Sequence, residues 1–143
     1  MSSGVKVSSD CLAAYQQLKL GKSLRYILYG LSADKTEIVV LHTAPAQHDA
    51  AADYDAFLEK LPKDDCVWGV YDFEFTKGDE GKRNKICFIS WAPDDAKIKA
   101  KMLAASSKDA LRKALVGVAV EVQATDIDEV AYDAVLEKCS RGY

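Results

Sequence analysis

Four cysteines and two histidines are the residues of this 143-residue sequence best suited to metal binding or nucleophilic catalysis. The cysteines form no CxxC pair, whereas a zinc site needs closely spaced ligands. His42 and His48 share one predicted loop, and a six-residue spacing does not place two histidines on one face of a helix. We therefore predict no metal, no cofactor and no enzyme active site. The cysteines are Cys11, Cys66, Cys87 and Cys139.

A glycine-containing stretch, Gly78–Arg83, is the one segment that suggests phosphate binding. It reads GDEGKR, whereas a P-loop requires GxxxxGK followed by Ser or Thr. Both the glycine spacing and the hydroxyl are wrong, so the stretch does not predict nucleotide binding. We interpret it as the polar tip of a hairpin.

Basic residues concentrate in three places, and each place has a structural as well as a functional explanation. The run Lys82–Lys85 precedes an apolar strand, where charge protects a sheet edge from aggregation. The segment Glu137–Arg141 ends the last predicted helix, where cations interact favourably with the helix dipole. The third place is one side of the longest predicted helix. Taken singly, each cluster is better explained by structure than by binding.

The long helix separates its apolar and basic residues most clearly. The only acidic residue among its lysines and arginine is Asp109, although exposed helices usually intersperse Glu with Lys. Ile98 and Met102 flank the basic row instead of joining the apolar arc, which favours a protein-binding face because Met adapts its shape and lysines attract acidic partners. The predicted core arc is Leu103, Ser107, Ala110, Leu111, Ala114 and Val118. The opposite row is Lys101, Ala105, Lys108 and Arg112.

Hydrophobic periodicity and capping residues predict five strands and four helices. The order of these elements predicts an α/β (α+β) fold, with a mixed sheet covered by helices on both faces. Thr125-Asp-Ile-Asp matches a capping box, and the last helix should bury Ile127, Val130, Ala131, Ala134 and Val135. Predicted helices span 9–20, 54–61, 95–116 and 127–139, and predicted strands span 26–31, 37–43, 66–76, 86–91 and 118–123.

Composition excludes several broad classes of protein. Apolar residues make up 49% and charged residues 29% of the chain, which is typical of a globular domain. The net charge of −3 is unlike that of a general nucleic-acid or membrane coat. There is no apolar N-terminal segment and no run of about 20 apolar residues that would span a bilayer. We expect a soluble intracellular protein with reduced thiols.

Several motifs, in the same order along the chain, resemble the ADF/cofilin family of actin-binding proteins and are most similar to fungal cofilins. The most distinctive are SWAPDD at 90–95 and KMLAASSKDALR at 101–112. Other matching segments are SGV at 3–5, YGL at 29–31, KTEIV at 35–39, YDAFL at 54–58, DDC at 64–66, YDFE at 71–74, GKRNK at 81–85 and YDAVLE at 132–137. The resemblance therefore covers nearly the whole chain.

The resemblance implies one ADF-homology domain over residues 1–143, with a flexible N-terminal segment over residues 1–7. It implies a monomer that binds monomeric and filamentous actin, prefers ADP-bound actin, severs and depolymerises filaments, and also binds phosphoinositides. It implies a location in the cytoplasm and actin cytoskeleton, with the nucleus as a second location. The alternative is a module that binds actin monomers or filament sides without severing, as coactosin-like and twinfilin-like relatives do.

The family pattern also assigns roles to individual residues. Ser3, or the adjacent Ser2, matches a regulatory phosphorylation site. Lys99 matches an actin-contacting residue, although the helical wheel places it near the core edge, and a bend at Ser106-Ser107 would reconcile the two. Residues expected to contact both monomer and filament are Ser3, Gly4, Val5, Lys99, Lys101 and Met102, to which the basic row adds Lys108 and Arg112. Residues expected to contact filaments only are Lys82, Arg83, Lys85, Glu137, Lys138 and Arg141.

This sequence departs from the family pattern in three places. The loop over residues 42–53 is longer than in close relatives. The lysine-rich nuclear-import insert of vertebrate members is missing, and the last helix lacks the histidine proposed as a pH sensor in animal members. The resemblance therefore implies neither active nuclear import nor this form of pH regulation.

Overall fold

The computed structural model describes residues 5–20, 24–45, 50–76 and 81–140. Within these ranges no helix combines the length and apolar character needed to cross a bilayer. The strands are β1 (Lys6–Val7), β2 (Tyr26–Leu31), β3 (Glu37–Ala44), β4 (Val67–Thr76), β5 (Lys82–Trp91) and β6 (Val120–Ala124). The helices are α1 (Ser9–Lys19), α2 (Ala50–Glu59), α3 (Ile98–Ala114) and α4 (Tyr132–Ser140), with one 3₁₀ turn at Ile127–Val130.

The sheet is mixed, as predicted, but it has six strands in the order β1-β3-β2-β4-β5-β6. The additional strand is β1, which runs parallel to β3 and pairs Lys6 with Glu37 and Val7 with Ile38. The segment expected to be flexible over residues 1–7 is therefore paired from Lys6 onwards. Strands β5 and β6 are also parallel, and the connection between them is α3.

Helices cover both faces of the sheet, which confirms the predicted layering. One core cluster joins α1 and α3 to the sheet and includes Tyr15, Trp68 and Leu111. The other joins α2 and α4 to the opposite face, where Tyr54 packs against Phe73 with ring centroids 5.7 Å apart. Helix α1 buries Cys11, Tyr15 and Leu18 on one face, as its periodicity predicts.

Several predicted boundaries differ from the structure: α2 starts at Ala50 rather than residue 54, so β3 and α2 occupy most of the predicted 42–53 loop, and α3 starts at Ile98 rather than residue 95. Two further boundaries differ for clear physical reasons. Strand β5 begins at Lys82 rather than residue 86, because it pairs with β4 along its whole length, from Lys82 opposite Thr76 to Trp91 opposite Val67. The last helix is divided, because the backbone at Ala131 is extended (φ −59°, ψ 149°) between the 3₁₀ turn and α4. Ile127, predicted to be buried, is 50% exposed on that turn.

The cap of the 3₁₀ turn is also shifted by one residue from the prediction. The Asp126 side chain, rather than that of Thr125, accepts a hydrogen bond from the Glu129 amide at 3.1 Å. The Glu129 carboxylate accepts from both the amide and the hydroxyl of Thr125, each at 2.8 Å. These hydrogen bonds from Thr125 hold the pKa of Glu129 below its usual range. These hydrogen bonds therefore connect the 3₁₀ turn to the residues that follow β6.

Candidate actin-binding surfaces

The orientation of α3 differs from the helical-wheel prediction. Its buried residues are Ala104, Ser107 and Leu111, whereas the predicted core residues Leu103 and Ala110 are only half-buried. Two of the three buried side chains are small, and small side chains let a helix approach the sheet closely. The face of α3 that turns away from the core is therefore displaced from the predicted one.

This orientation exposes Lys99 and resolves its predicted position at the core edge. Ile98 is 75% exposed and Met102 is 66% exposed, and Lys99 is exposed between them. Lys101 is half-buried, and its ammonium donates a hydrogen bond to the Asp94 carbonyl at 2.9 Å. We call residues 98–102 the helix surface. It combines two large apolar side chains with two lysines.

The predicted basic row does not lie opposite the core but along its flank. Lys108 and Arg112 are half-buried. The Arg112 guanidinium forms an ion pair with Glu121 of β6, with Nε and Oε1 3.0 Å apart. Arg112 therefore also holds the C-terminal part of α3 against the edge of the sheet. Of the row, only Ala105 is fully exposed.

The N-terminal strand lies beside α3. Val5, the first described residue, is 8% exposed and belongs to the same core cluster as Ala104 and Leu111. Strand β1 directly contacts α3. Val5 therefore packs in the core beside the long helix, and its side chain has little exposed surface. Ser2, Ser3 and Gly4 lie outside the described residues.

The start of β5 and the end of α4 form a second basic surface, which we call the strand surface. Arg83 is exposed and Lys85 is half-buried, with the Lys85 ammonium 5.9 Å from the centroid of the Phe75 ring. Glu137 and Lys138 are exposed on α4. Lys82 is the first residue of β5. Arg141 lies outside the described residues.

A contact beneath the strand surface fixes the two elements to each other. The thiols of Cys87 on β5 and Cys139 on α4 are 3.2 Å apart and buried. The hydrogen bond from Cys87 lowers the pKa of Cys139, and the charge of Lys85 acts in the same direction. The end of α4 therefore packs against the middle of β5, on the strand face that also carries Lys85.

The helix surface and the strand surface lie toward opposite ends of β5. The strand surface is at its start, whereas α3 begins seven residues after its last residue, Trp91. Lys99 lines a groove with Cys66 and Val67, and Val67 pairs with Trp91. The ten residues of β5 span about 30 Å. One rigid strand therefore separates the two surfaces.

The groove beside α3 was not predicted from the sequence. Its polar lining comes from Lys35, Lys97, Lys99, Asp64 and Asp65, and its apolar lining includes Leu41 and Leu103. Burial raises the pKa of the Cys66 thiol at its edge. The exposure of Leu41, at 52% within a strand, follows from an irregularity in the pairing of β2 with β3 between Leu28 and Tyr29, which no residue pattern announces. In the described ranges no group of three or more His, Cys, Asp and Glu side chains is arranged to hold a metal ion.

Comparison with known proteins gives consistent matches along the chain. The model of the family described as "Cofilin/tropomyosin-type actin-binding protein" matches residues 4–140. A cofilin of Mycosarcoma maydis is 60% identical over 141 residues, which cover 99% of this chain and 98% of the relative. A cofilin of Saccharomyces cerevisiae is 55% identical over 141 residues, 98% of this chain and 95% of the relative. The crystal structure of Streptomyces griseoflavus cofilin superposes with a TM-score of 0.87 at 52% identity, covering 98% of this chain and 100% of the other.

Proposed function

Because this chain belongs to the cofilin/tropomyosin-type family of actin-binding proteins, we propose that it binds actin monomers and filaments through the two surfaces described above, and that it severs and depolymerises filaments. The helix surface, with Val5 and β1 beside it, contacts monomer and filament alike. The strand surface contacts filaments only. In this proposal the protein acts on actin by binding to it, without an enzymatic step.

The observation that carries the assignment of the helix surface is the exposure of Ile98 and Met102 on either side of Lys99. Isolated exposed apolar residues are common, but two large ones within a single helical turn beside lysines are typical of an interface. The apolar side chains supply buried area and the lysines favour an acidic partner surface. The partner of this family, actin, is therefore expected to bind here.

Severing follows from simultaneous binding at both surfaces. A filament whose subunits have two relative orientations shifts toward the one that the bound protein favours. Contacts at both ends of β5 transmit this preference because the sheet holds the surfaces at a constant separation. Subunit contacts weaken in the favoured orientation, so filaments break and lose subunits faster. No covalent bond is made or broken.

Two double variants separate the surfaces. We expect Lys99→Ala/Met102→Ala to weaken monomer and filament binding together, by at least tenfold, because both contacts use the helix surface. We expect Arg83→Ala/Lys85→Ala to keep monomer binding within about twofold and to lose severing. Lys60→Ala/Lys63→Ala is the matched control, because both lysines are exposed and lie outside the two surfaces.

The measurements are fluorescence titration of labelled monomer, co-sedimentation with filaments and microscopy of filament length. Equal loss of monomer binding in both test variants would contradict the division into two surfaces. Severing that persists in Arg83→Ala/Lys85→Ala would remove the strand surface from the mechanism. A wild-type chain that sediments with filaments without shortening them would instead support the non-severing, coactosin-like alternative.

Lys108 and Arg112 stay in the proposed surface as its flank, and Arg112 needs a control of its own. Arg112→Ala removes both the proposed actin contact and the ion pair with Glu121. Glu121→Ala removes the ion pair alone. If Arg112 contacts actin, the first variant weakens binding and the second does not. Equal effects would assign Arg112 to holding α3 in place.

Phosphorylation of Ser3 is the proposed regulatory event. A phosphate adds about −1.5 to −2 charges beside a surface that binds an acidic partner. Ser3→Glu should therefore weaken co-sedimentation with filaments, while Ser2→Glu serves as the control for position. A Ser3→Glu variant that severs at the wild-type rate would count against the proposal. If only Ser2→Glu weakens binding, Ser2 is the regulatory residue.

The remaining family properties are proposed for this chain on the same basis. It prefers ADP-bound actin, acts as a monomer, and associates with the actin cytoskeleton of the cytoplasm, with the nucleus as a second location. Phosphoinositides bind the same basic surfaces and therefore compete with actin. Vesicles containing phosphoinositides that leave filament binding unchanged would reject that competition.

A further inference from the structure

Two of the four cysteines form a pair that the proposed function does not use. The Sγ atoms of Cys87 and Cys139 lie 3.2 Å apart, and both side chains are fully buried. The other two cysteines lie in different surroundings: the Cys11 thiol donates to the Ile38 carbonyl at 3.2 Å, and Cys66 is half-buried at the groove edge. The pair links β5 to α4 through two cysteines that are 52 residues apart in the chain.

We propose that Cys87 and Cys139 are a redox modification site, at which a hydroperoxide forms a reversible intramolecular disulfide that ties α4 to β5. A disulfide requires the two sulfurs to approach to about 2.0 Å, so they must move only about 1 Å closer together. In proteins that otherwise keep their thiols reduced, disulfides of this kind are transient and redox-sensing. The side chains that must meet are already in contact.

The reaction proceeds in two balanced steps. The Cys139 thiolate attacks one oxygen of hydrogen peroxide, the O–O bond breaks, and a sulfenic acid and hydroxide form; the hydroxide takes up the proton that Cys139 lost and becomes water. Cys87 then attacks the Cys139 sulfur as its thiolate and forms the S–S bond, while the sulfenic hydroxyl leaves and takes up the proton that Cys87 lost, as the second water. Two thiols are oxidised and one peroxide is reduced to two waters. Cys139 acts first because it lies in the last turn of α4, whereas Cys87 lies in the interior of a strand.

Peroxide reaches this buried site through the end of α4. Cys139 is in the last turn of a nine-residue helix that ends at Ser140. Short helices fray at their ends, so the last turn opens far more often than the protein unfolds. Cys87 lies in the interior of β5, between β4 and β6, and is reached only after Cys139. The reaction is therefore limited by opening of α4.

The disulfide would fix the strand surface in one arrangement. Side chains alternate along a strand, so Arg83, Lys85 and Cys87 share one face of β5. Glu137 and Lys138 directly precede Cys139 on α4. A bond between the two cysteines thus joins both parts of the strand surface, and this consequence rests on the proposed function. Formation of the disulfide itself does not depend on actin.

The test treats the full chain with hydrogen peroxide, blocks free thiols, and maps disulfide-linked peptides by mass spectrometry. We expect a peptide joining Cys87 to Cys139, two hydrogens lighter than the reduced pair and released by dithiothreitol. We also expect a rise in Tm of at least about 5 °C, since the bond closes a long loop. Hydrogen exchange at the last-turn amides of α4 should slow at least tenfold.

Cys139→Val keeps the site apolar and should abolish all three effects, whereas Cys66→Ser should leave them unchanged. The wild-type peptide map needs no variant, so it remains decisive if Cys139→Val folds poorly. Oxidation of Cys66 with no bond between Cys87 and Cys139 would overturn the proposal. So would a linked peptide without slower exchange in α4. Because no actin is present, these outcomes are independent of the proposed function.

Discussion

The buried ion pair between Arg25 and Asp53 supports a quantitative prediction about stability. The Arg25 Nε atom is 3.1 Å from the Asp53 Oδ2 atom, and the two side chains are only 10% and 4% exposed. A third charge, Glu74 of β4, places its Oε1 atom 3.8 Å from the Arg25 Nη1 atom and is 29% exposed. Three elements, the segment before β2, the first turn of α2 and β4, therefore meet at one guanidinium.

The distance between the Arg25 and Asp53 charges sets the size of the expected change in the free energy of unfolding. At an effective dielectric constant of about 20, charges about 3 Å apart attract by roughly 5 kcal/mol, before the cost of removing both from water. Removing one partner of a buried pair usually costs about 3–5 kcal/mol, because the other charge remains buried. Glu74 still neutralises part of the Arg25 charge here. We therefore expect Asp53→Ala to lower the free energy of unfolding by about 2–4 kcal/mol.

The double variant Arg25→Met/Asp53→Leu distinguishes the attraction from the cost of a stranded charge. It replaces the pair by apolar side chains, and such replacements are often neutral. We expect it to lie within about 1 kcal/mol of the wild type, with Glu74 able to turn toward solvent. Asp55→Ala, an exposed position on the same helix, is the matched control and should change stability by less than about 0.5 kcal/mol.

Urea denaturation followed by tryptophan fluorescence measures all four proteins, with the m-value checking that unfolding remains two-state. A loss of less than about 1 kcal/mol in the free energy of unfolding of Asp53→Ala would contradict the prediction. So would a double variant that is destabilised as much as Asp53→Ala, since the stranded Arg25 charge would then not be the cause.

Three further changes test local features. Gly117 has φ +104°, so Gly117→Ala should lower the free energy of unfolding by about 1–2 kcal/mol in urea denaturation. A Cβ at Gly69 would lie 2.7 Å from the Phe57 ring, so Gly69→Ala should cost about 1–3 kcal/mol and lower Tm. Hydrogen bonds from Thr125 lower the pKa of Glu129. This contribution is present above the unfolded pKa of about 4.3 and is lost as pH falls through the lower folded pKa, so Glu129→Gln should reduce the acid sensitivity of the urea midpoint.

Elements set by local periodicity could be predicted from the sequence, whereas features imposed by a neighbouring element could not. The apolar stripe of α1 and the abundance of β-forming residues in β2 and β3 predict those elements within one residue at each end. The residues Lys82–Lys85 are polar and carry no strand signal of their own. They are extended because β4 supplies a complete partner strand. The same holds for β1, which has only two residues and depends on β3.

The candidate surfaces also combine a part that the sequence predicts and a part that depends on packing against a neighbouring element. Resemblance to a family identified the residues, but their exposure depended on which side of α3 contacts the sheet. A helical wheel centred on Leu103 correctly includes Ser107 and Leu111 but omits Ala104, so the predicted core arc is rotated from the observed one. Small side chains are weak hydrophobic signals but allow close packing. Lys99 is exposed for this reason, without any need for a bend in the helix.

The proposed severing mechanism depends on how the two surfaces are connected. A flexible connection would let one protein contact a filament at both surfaces while leaving its twist unchanged. In this fold the connection is β5, whose ten residues all pair with β4 and whose second half also pairs with β6. Bending such a strand would break several hydrogen bonds at once. In the proposed mechanism the binding energy would therefore change the relative orientation of the filament subunits rather than the fold of this protein.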